Sequence, residues 1–341
     1  NTNTLGTLTV GATKTLTVGA GNTITAGGAT DINGTLAISG TYDANAAYDA
    51  DGATVTIASG GKLYLGSTIT AFGTFDNHGT LYLDGSSTQT VPGSGSKLTP
   101  LVLCDKDDGS EPEGTLDISG GDKTYNASNT DYQIKGNLTF NGTTDFIIDG
   151  SGGSVVTIYA ETVIGGADDD SHIVGPAGTD VSVRYSLTNQ SSSKELPIGP
   201  NGSLRSITIA PTASTTTVYT AQYKVGMPSG ASIDWTNNLC GTPSSSTNVT
   251  TINNEYHYDV AVTSGTSTNA SLTVGFVGLD NVPADTDRWL MHWDNNEWDE
   301  VSGSNSGNSG STVTGTTTSF SPFTQGSSGA ALPIDLLSFN G

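Results

Sequence analysis

Over residues 1–165 apolar side chains fall at alternate positions in short runs, and each run is bounded by glycine. The clearest runs are Gly6-Thr7-Leu8-Thr9-Val10-Gly11, Gly34-Thr35-Leu36-Ala37-Ile38-Ser39-Gly40 and Gly79-Thr80-Leu81-Tyr82-Leu83-Asp84-Gly85. Others centre on Leu16, Leu63, Leu116 and Leu138. A period of two places Leu, Val and Ile on one side of an extended chain and Thr, Tyr or Asp on the other. Runs this short are strands, and no ten-residue window carries a helical period. The pattern therefore predicts an all-β chain.

The leucines of these runs are separated by 8, 20, 27, 18, 35 and 22 residues. Several steps lie near multiples of nine, as if strands of about five residues alternated with turns of about four. A β-solenoid follows, because one coil cannot bury its own apolar row whereas stacked coils bury a continuous one. Ile32-Asn33-Gly34 and Asn77-His78-Gly79 read as corners, where stacked asparagines would satisfy buried carbonyls. An antiparallel sandwich has the same alternation. The recurring spacings and the scarcity of Asn-Gly hairpin turns favour the solenoid. Residues 44–53, rich in Ala, Asp and Asn, read as a loop.

From residue 166 the pattern changes. Longer and less repetitive strand candidates occupy 181–185, 204–210, 216–225, 256–262, 270–276, 288–293 and 313–319, separated by Gly/Pro/Ser/Asn segments. About seven such strands predict an antiparallel β-sandwich of immunoglobulin type over 166–328. An apolar tail occupies 329–341, in which Leu332, Ile334 and Leu336 share one strand face and Phe339 extends the apolar content.

Composition narrows the partners. The chain has 341 residues, 33 acidic against 11 basic, for a net charge of −22. Such a surface repels phosphate backbones and anionic headgroups, so nucleic acid and membrane surfaces are excluded as expected partners. Membrane insertion is excluded as well, since no apolar run reaches the ~20 residues a span requires. The two cysteines, Cys104 and Cys240, lie too far apart for a metal motif; a long-range disulfide and two buried thiols both remain open. The polar opening, Asn1-Thr2-Asn3-Thr4, reads as a mature or trimmed start.

The second half resembles a family of Bacteroidota surface proteins exported by the type IX secretion system. The resemblance is carried by Leu196-Pro197-Ile198-Gly199-Pro200-Asn201-Gly202-Ser203, Ile207-Thr208-Ile209 and Asn254-Glu255-Tyr256-His257. It continues through His292-Trp293-Asp294-Asn295-Asn296-Glu297-Trp298, Ser319-Phe320-Ser321-Pro322-Phe323-Thr324 and Leu332-Pro333-Ile334-Asp335-Leu336-Leu337-Ser338-Phe339. It implies an extracellular, cell-surface location and repeats followed by a sandwich. The sorting domain that ends such proteins does not follow Gly341, which fits removal after export or a fragment.

The candidate chemistry is sparse. Four scattered histidines and the absence of a Gly-x-Ser-x-Gly elbow argue against a nucleophilic triad, and the chain is read as non-enzymatic. Asp105, Asp107, Asp108 and Glu111 put hard oxygens in a Gly-containing loop, so Ca²⁺ is the one cofactor considered. Solvated acidic loops account for the same residues. Trp293 and Trp298 are candidates for contact with a glycan, against a core role. Leu332, Ile334, Leu336 and Phe339 are candidates for contact between subunits. The expectation is a structural or adhesive surface protein that self-associates into a fibre or touches surface glycans. The contrasting class is a glycan-binding module or glycan-active enzyme on a solenoid.

Overall fold

The computed structural model describes residues 1–92, 101–104, 114–125, 132–148, 156–175, 180–231, 249, 251–266, 269–275, 288–294, 297–301, 312–320 and 322–327. Among these every regular element is a strand. The chain divides into two compact units: Asn1–Ser186 with Pro197–Leu204, and Leu187–Leu196 with Arg205–Gly341.

The first unit is a β-solenoid. One face stacks eight parallel strands, beginning with Thr2–Leu5, Thr23–Ala26, Thr41–Ala44, Lys62–Leu65 and Thr80–Leu83. Thr115–Ser119, Asn137–Asn141 and Ile164–Gly165 complete it. Over the first four coils a second face holds Leu8–Val10, Thr30–Ile32, Tyr48–Asp49 and Ile69–Ala71. The third holds Thr15–Val18, Thr35–Ile38, Thr54–Ile57 and Thr74–Asn77. Each coil thus consists of three short strands. Register along the first face is continuous, with Leu63 beside Leu81, Leu81 beside Leu116 and Leu116 beside Leu138. All four leucines are completely buried, each gaining about 1.5–3 kcal/mol on leaving water.

This register explains the leucine spacings. The Gly-Thr-Leu unit is used on all three faces: Leu8 lies on the second, Leu16 and Leu36 pair on the third, and Leu63, Leu81, Leu116 and Leu138 lie on the first. Spacings of 20, 18, 35 and 22 are therefore whole coils, whereas 8 and 27 step between faces. The segment 44–53, expected to be a loop, contains the strand Tyr48–Asp49, and Asp43 stands at an outward position of Thr41–Ala44.

Parallel stacking continues past residue 165. Two further sheets add Gln89–Thr90, Lys123–Tyr125, Phe146–Ile148, Ile173–Val174 and Ile198–Gly199, and Leu101–Cys104, Tyr132–Ile134, Val156–Tyr159 and Val181–Ser186. The solenoid unit therefore reaches Ser186 and takes in Pro197–Leu204. Sequence periodicity marks an earlier end because these last strands lack the Gly-Thr-Leu unit.

The second unit contains antiparallel sheets. One orders Lys194–Leu196, Ile207–Pro211, Ala270–Gly275 and Thr312–Thr317. The other brings together Thr217–Val225, Tyr256–Gly265, Pro322–Ser327, Arg288–Asp294 and Glu297–Glu300. Tyrosines bridge the layers: the Tyr256 hydroxyl donates to the Gly275 carbonyl at 3.3 Å and the Tyr258 hydroxyl to that of Arg205.

Glycine is required where successive coils approach at a corner. Backbone bonds run from Lys62 N–H to Gly40 O, from Thr80 N–H to Gly61 O and from Thr115 N–H to Gly79 O. A Cβ on Gly61 would stand 2.4 Å from the Ile38 carbonyl oxygen, and one on Gly79 2.4 Å from that of Gly61. Gly60 differs, with φ of 77° and open space around a Cβ. Gly61→Ala is expected to destabilise the unit by about 1–3 kcal/mol through overpacking, and Gly60→Ala by about 1–2 kcal/mol through backbone strain. Gly6→Ala, with nothing near its Cβ, should be close to neutral. Thermal denaturation of the three variants checks the order, and a neutral Gly61→Ala would contradict the close-approach account.

Candidate functional site

Buried polar side chains are few in the early coils, where Thr30 Oγ1 lies 2.8 Å from the Tyr42 hydroxyl, and gather from Asn77 onward. Gln89, on the strand Gln89–Thr90, is buried and donates from Nε2 to the carbonyls of Leu65 at 2.8 Å and Ser67 at 2.7 Å, while Gly85 N–H donates to its Oε1 at 2.9 Å. In register on the next coil is Lys123, also fully buried. Its Nζ donates to Gly85 O at 3.2 Å and to Gly121 O. Leu65 O also accepts Asp84 N–H at 3.3 Å and Gly85 O accepts Gly121 N–H at 2.8 Å, so the side chains add a second donor there and supply one to Ser67 O and Gly121 O. An unmet buried acceptor costs about 1–3 kcal/mol. Burial pulls the Lys123 amine down to about 8, although Asp84 and Asp122 favour its charge.

Other corners use other donors. Asn77 is buried and donates to Leu103 O at 3.0 Å and Thr115 O at 3.3 Å, with its Oδ1 receiving Gly79 N–H at 3.0 Å. Thr162 Oγ1 donates to Ile134 O at 2.7 Å, and Ser171 Oγ to Gly142 O. The expected asparagine at a corner is thus present at 77. Asn33 is exposed and turns instead to Asp31 Oδ1 at 2.8 Å. The corners are satisfied by a mixed set of side chains, not an asparagine ladder.

Near the end of the unit His172 is fully buried. Its Nδ1 is 3.0 Å from Asp168 O and its Nε2 2.8 Å from Pro200 O. Both partners are backbone carbonyl oxygens. Asp145 Oδ1 lies 3.8 Å from Nδ1 and accepts the His172 backbone N–H at 3.3 Å. Burial raises the Asp145 carboxyl above the ordinary range, against the opposing pull of His172. Asp169, in the acidic run 168–170, accepts Leu204 N–H at 2.8 Å. Together these contacts fasten 197–204 to the unit.

On the outer side of the first face Tyr64 and Tyr82 stack with centroids 4.1 Å apart and planes 1° from parallel. Asp43 is in register before Tyr64, and Asp117 after Tyr82. Burial pushes the Tyr64 phenol up to about 12, helped by its hydrogen bond with Tyr82 and by the charges of Tyr82, Asp84 and Asp117. Burial likewise raises the carboxyls of Asp84 and Asp117. Asp84 Oδ1 is buried and meets no donor among the described residues. Sequence reading missed this strip because single Tyr and Asp residues in separate repeats gain meaning only through register.

The residues singled out from sequence fall as follows. Trp293 and Trp298 pair across antiparallel strands with ring centroids 5.1 Å apart. They are buried with Trp289, Met291, Val249 and Ile252. Their exposures of 8% and 2% leave no indole face for a sugar, so the geometry gives them a core role in place of the expected glycan contact. Asp105, Asp107, Asp108 and Glu111 lie outside the described residues, as do Cys240 and the tail residues Leu332, Ile334, Leu336 and Phe339. Among the described residues no three His, Cys, Asp or Glu side chains converge on a metal position.

The lowered Lys123 amine gives a pH test. The folded state holds this proton more weakly than the unfolded chain, so the group's contribution to stability rises as pH increases from about 8 toward 10.5. Subtracting the pH–stability curve of Lys123→Met from that of the wild type should leave this rise. A flat difference would show that the amine is solvated.

Comparison of the chain with protein-family models, with characterised proteins and with solved structures finds no match. The functional reading therefore rests on the residues and their geometry.

Proposed function

We propose that this chain is an extracellular structural protein of a bacterial cell surface, the subunit of a surface fibre or the stalk of an adhesin. The observation that carries the reading is the first face of the solenoid, eight parallel strands stacked in register, with a continuous buried row from Ala26 through Ala44, Leu65, Leu83 and Ile118 to Phe140. Every coil is tied to the next by backbone hydrogen bonds and apolar contact, which suits a rod under tension. Its outward positions present mostly threonine: Thr15, Thr35, Thr54 and Thr74 form one file on the third face. An uncharged hydroxyl surface on a chain of net charge −22 suits hydrated contact with glycans and other cells. Export by the type IX route is the part of the proposal supported by the sequence resemblance.

The second reading, a glycan-binding module, is favoured by the Tyr64–Tyr82 pair between Asp43 and Asp117. Its aromatic edges and carboxylates match the donors and acceptors of a sugar.

Immunolabelling of intact producing cells, with attachment of a deletion strain measured alongside, tests the first reading. Surface label and an attachment defect are expected. Label seen only after lysis would overturn it. Saturable binding of a defined glycan, lost in Tyr64→Ala and Tyr82→Ala without loss of fold, would establish the second.

A further inference from the structure

A free sheet edge exposes backbone donors and acceptors to any passing strand, and proteins blunt such edges with charge, shortness or distortion. Two edge strands of the second unit are blunted in this way. Glu297–Glu300 is four residues long and contains three carboxylates, Glu297, Asp299 and Glu300. Lys194–Leu196 has three residues, two of them charged. The edge strand Thr312–Thr317 is different. It runs for six residues, Thr-Val-Thr-Gly-Thr-Thr, without charge, proline or a break in register against Ala270–Gly275. Its side chains alternate strictly: Thr312, Thr314 and Thr316 are exposed, while Val313, Gly315 and Thr317 are buried. Among the described residues it pairs on one side only.

We propose that Thr312–Thr317 is an acceptor for β-strand addition, and that the added strand is the 331–339 segment of a second copy of this chain. The inference rests on the fibre reading above and names the contact that would build the fibre. Three observations select the occupant. The segment has the alternation an added strand needs, with Leu332, Ile334 and Leu336 on one side. It contains one charge, Asp335, so it meets an uncharged edge with little of the repulsion that a chain of net charge −22 has elsewhere.

The third observation is direction. Thr312–Thr317 and Pro322–Ser327 lie in different sheets and are joined by residues 318–321. Gln325 Nε2 donates to Gly275 O, and Gly275 is the register partner of Thr312, which places Ser327 toward the Thr312 end. A strand starting at residue 331 of the same chain would then run parallel to Thr312–Thr317, in a sheet whose other pairings are all antiparallel. A second copy carries no such restriction and can enter antiparallel. A contact of this kind joins two different surfaces, so it is heterologous and propagates as an open filament.

The test combines sedimentation of the full chain with hydrogen exchange at 312–317. Three forms are compared: the wild type, a variant lacking 331–341, and Thr314→Lys/Thr316→Lys, which places charge at outward positions of the edge. Wild type is expected to assemble with concentration, and both variants to remain monomeric with thermal midpoints close to the wild type. A synthetic peptide of residues 330–341 should bind the truncated variant and slow exchange at 312–317 by about tenfold or more, and should fail to bind the lysine variant. Assembly with 312–317 exchanging as fast as in the truncated variant would overturn the edge assignment and leave the fibre reading standing. A wild-type monomer whose 312–317 amides lose protection on truncation would assign the segment to its own chain and overturn the second-copy proposal. A wild-type monomer and no peptide binding would overturn both readings.

Discussion

The coil-to-coil contact of the solenoid is the interaction on which the rest depends. A strand of two to six residues has too little apolar surface to hold itself, and its backbone groups need partners on both sides. Parallel stacking in register supplies both requirements together, because each coil brings a ladder of hydrogen bonds and an apolar row that continues the one beneath. The same contact sets the demands on the corners. Successive chains approach so closely there that Gly61 and Gly79 leave no room for a Cβ. Carbonyls at these corners also receive side-chain donors, among them those of buried Asn77, Gln89 and Lys123.

Those polar insertions coincide with a change in the coil. Along the first face the strands Thr2, Thr23, Thr41, Lys62 and Thr80 begin follow at steps of 21, 18, 21 and 18 residues, and the next step, to Thr115, is 35. Gln89 and Lys123 stand one above the other at this point. The stack continues through the irregular coil because the first face keeps its register, Leu81 to Leu116, while the other two faces are rebuilt from new strands. The stack thus tolerates a change on two sides while its third side stays intact.

Much of the fold was legible because alternation and glycine survive in each repeat. The all-β class, the solenoid and the later antiparallel strands all follow from period two and turn residues. What sequence could not assign was the face. Leu8, Leu16 and Leu63 occupy equivalent motifs and three different sheets, since a Gly-Thr-Leu unit suits any side of the coil. For another reason, the strand Pro322–Ser327 overlaps a stretch, 324–329, that reads from sequence as a short linker. Its buried positions include Thr324, Gln325 and Ser327, and Gln325 is accommodated only because its Nε2 donates to Tyr256 Oη at 3.1 Å and to Gly275 O at 2.6 Å. Partners that distant in sequence leave no local trace. The Tyr64–Tyr82 strip was hidden similarly, by an 18-residue separation that only the register closes.

The central claim is that the chain is built to continue as a fibre, and electron microscopy of natively isolated protein, without denaturation or added tags, tests it most directly. The account predicts regular filaments whose axial repeat is close to the length of one subunit. Discrete, separate particles at every concentration would contradict it.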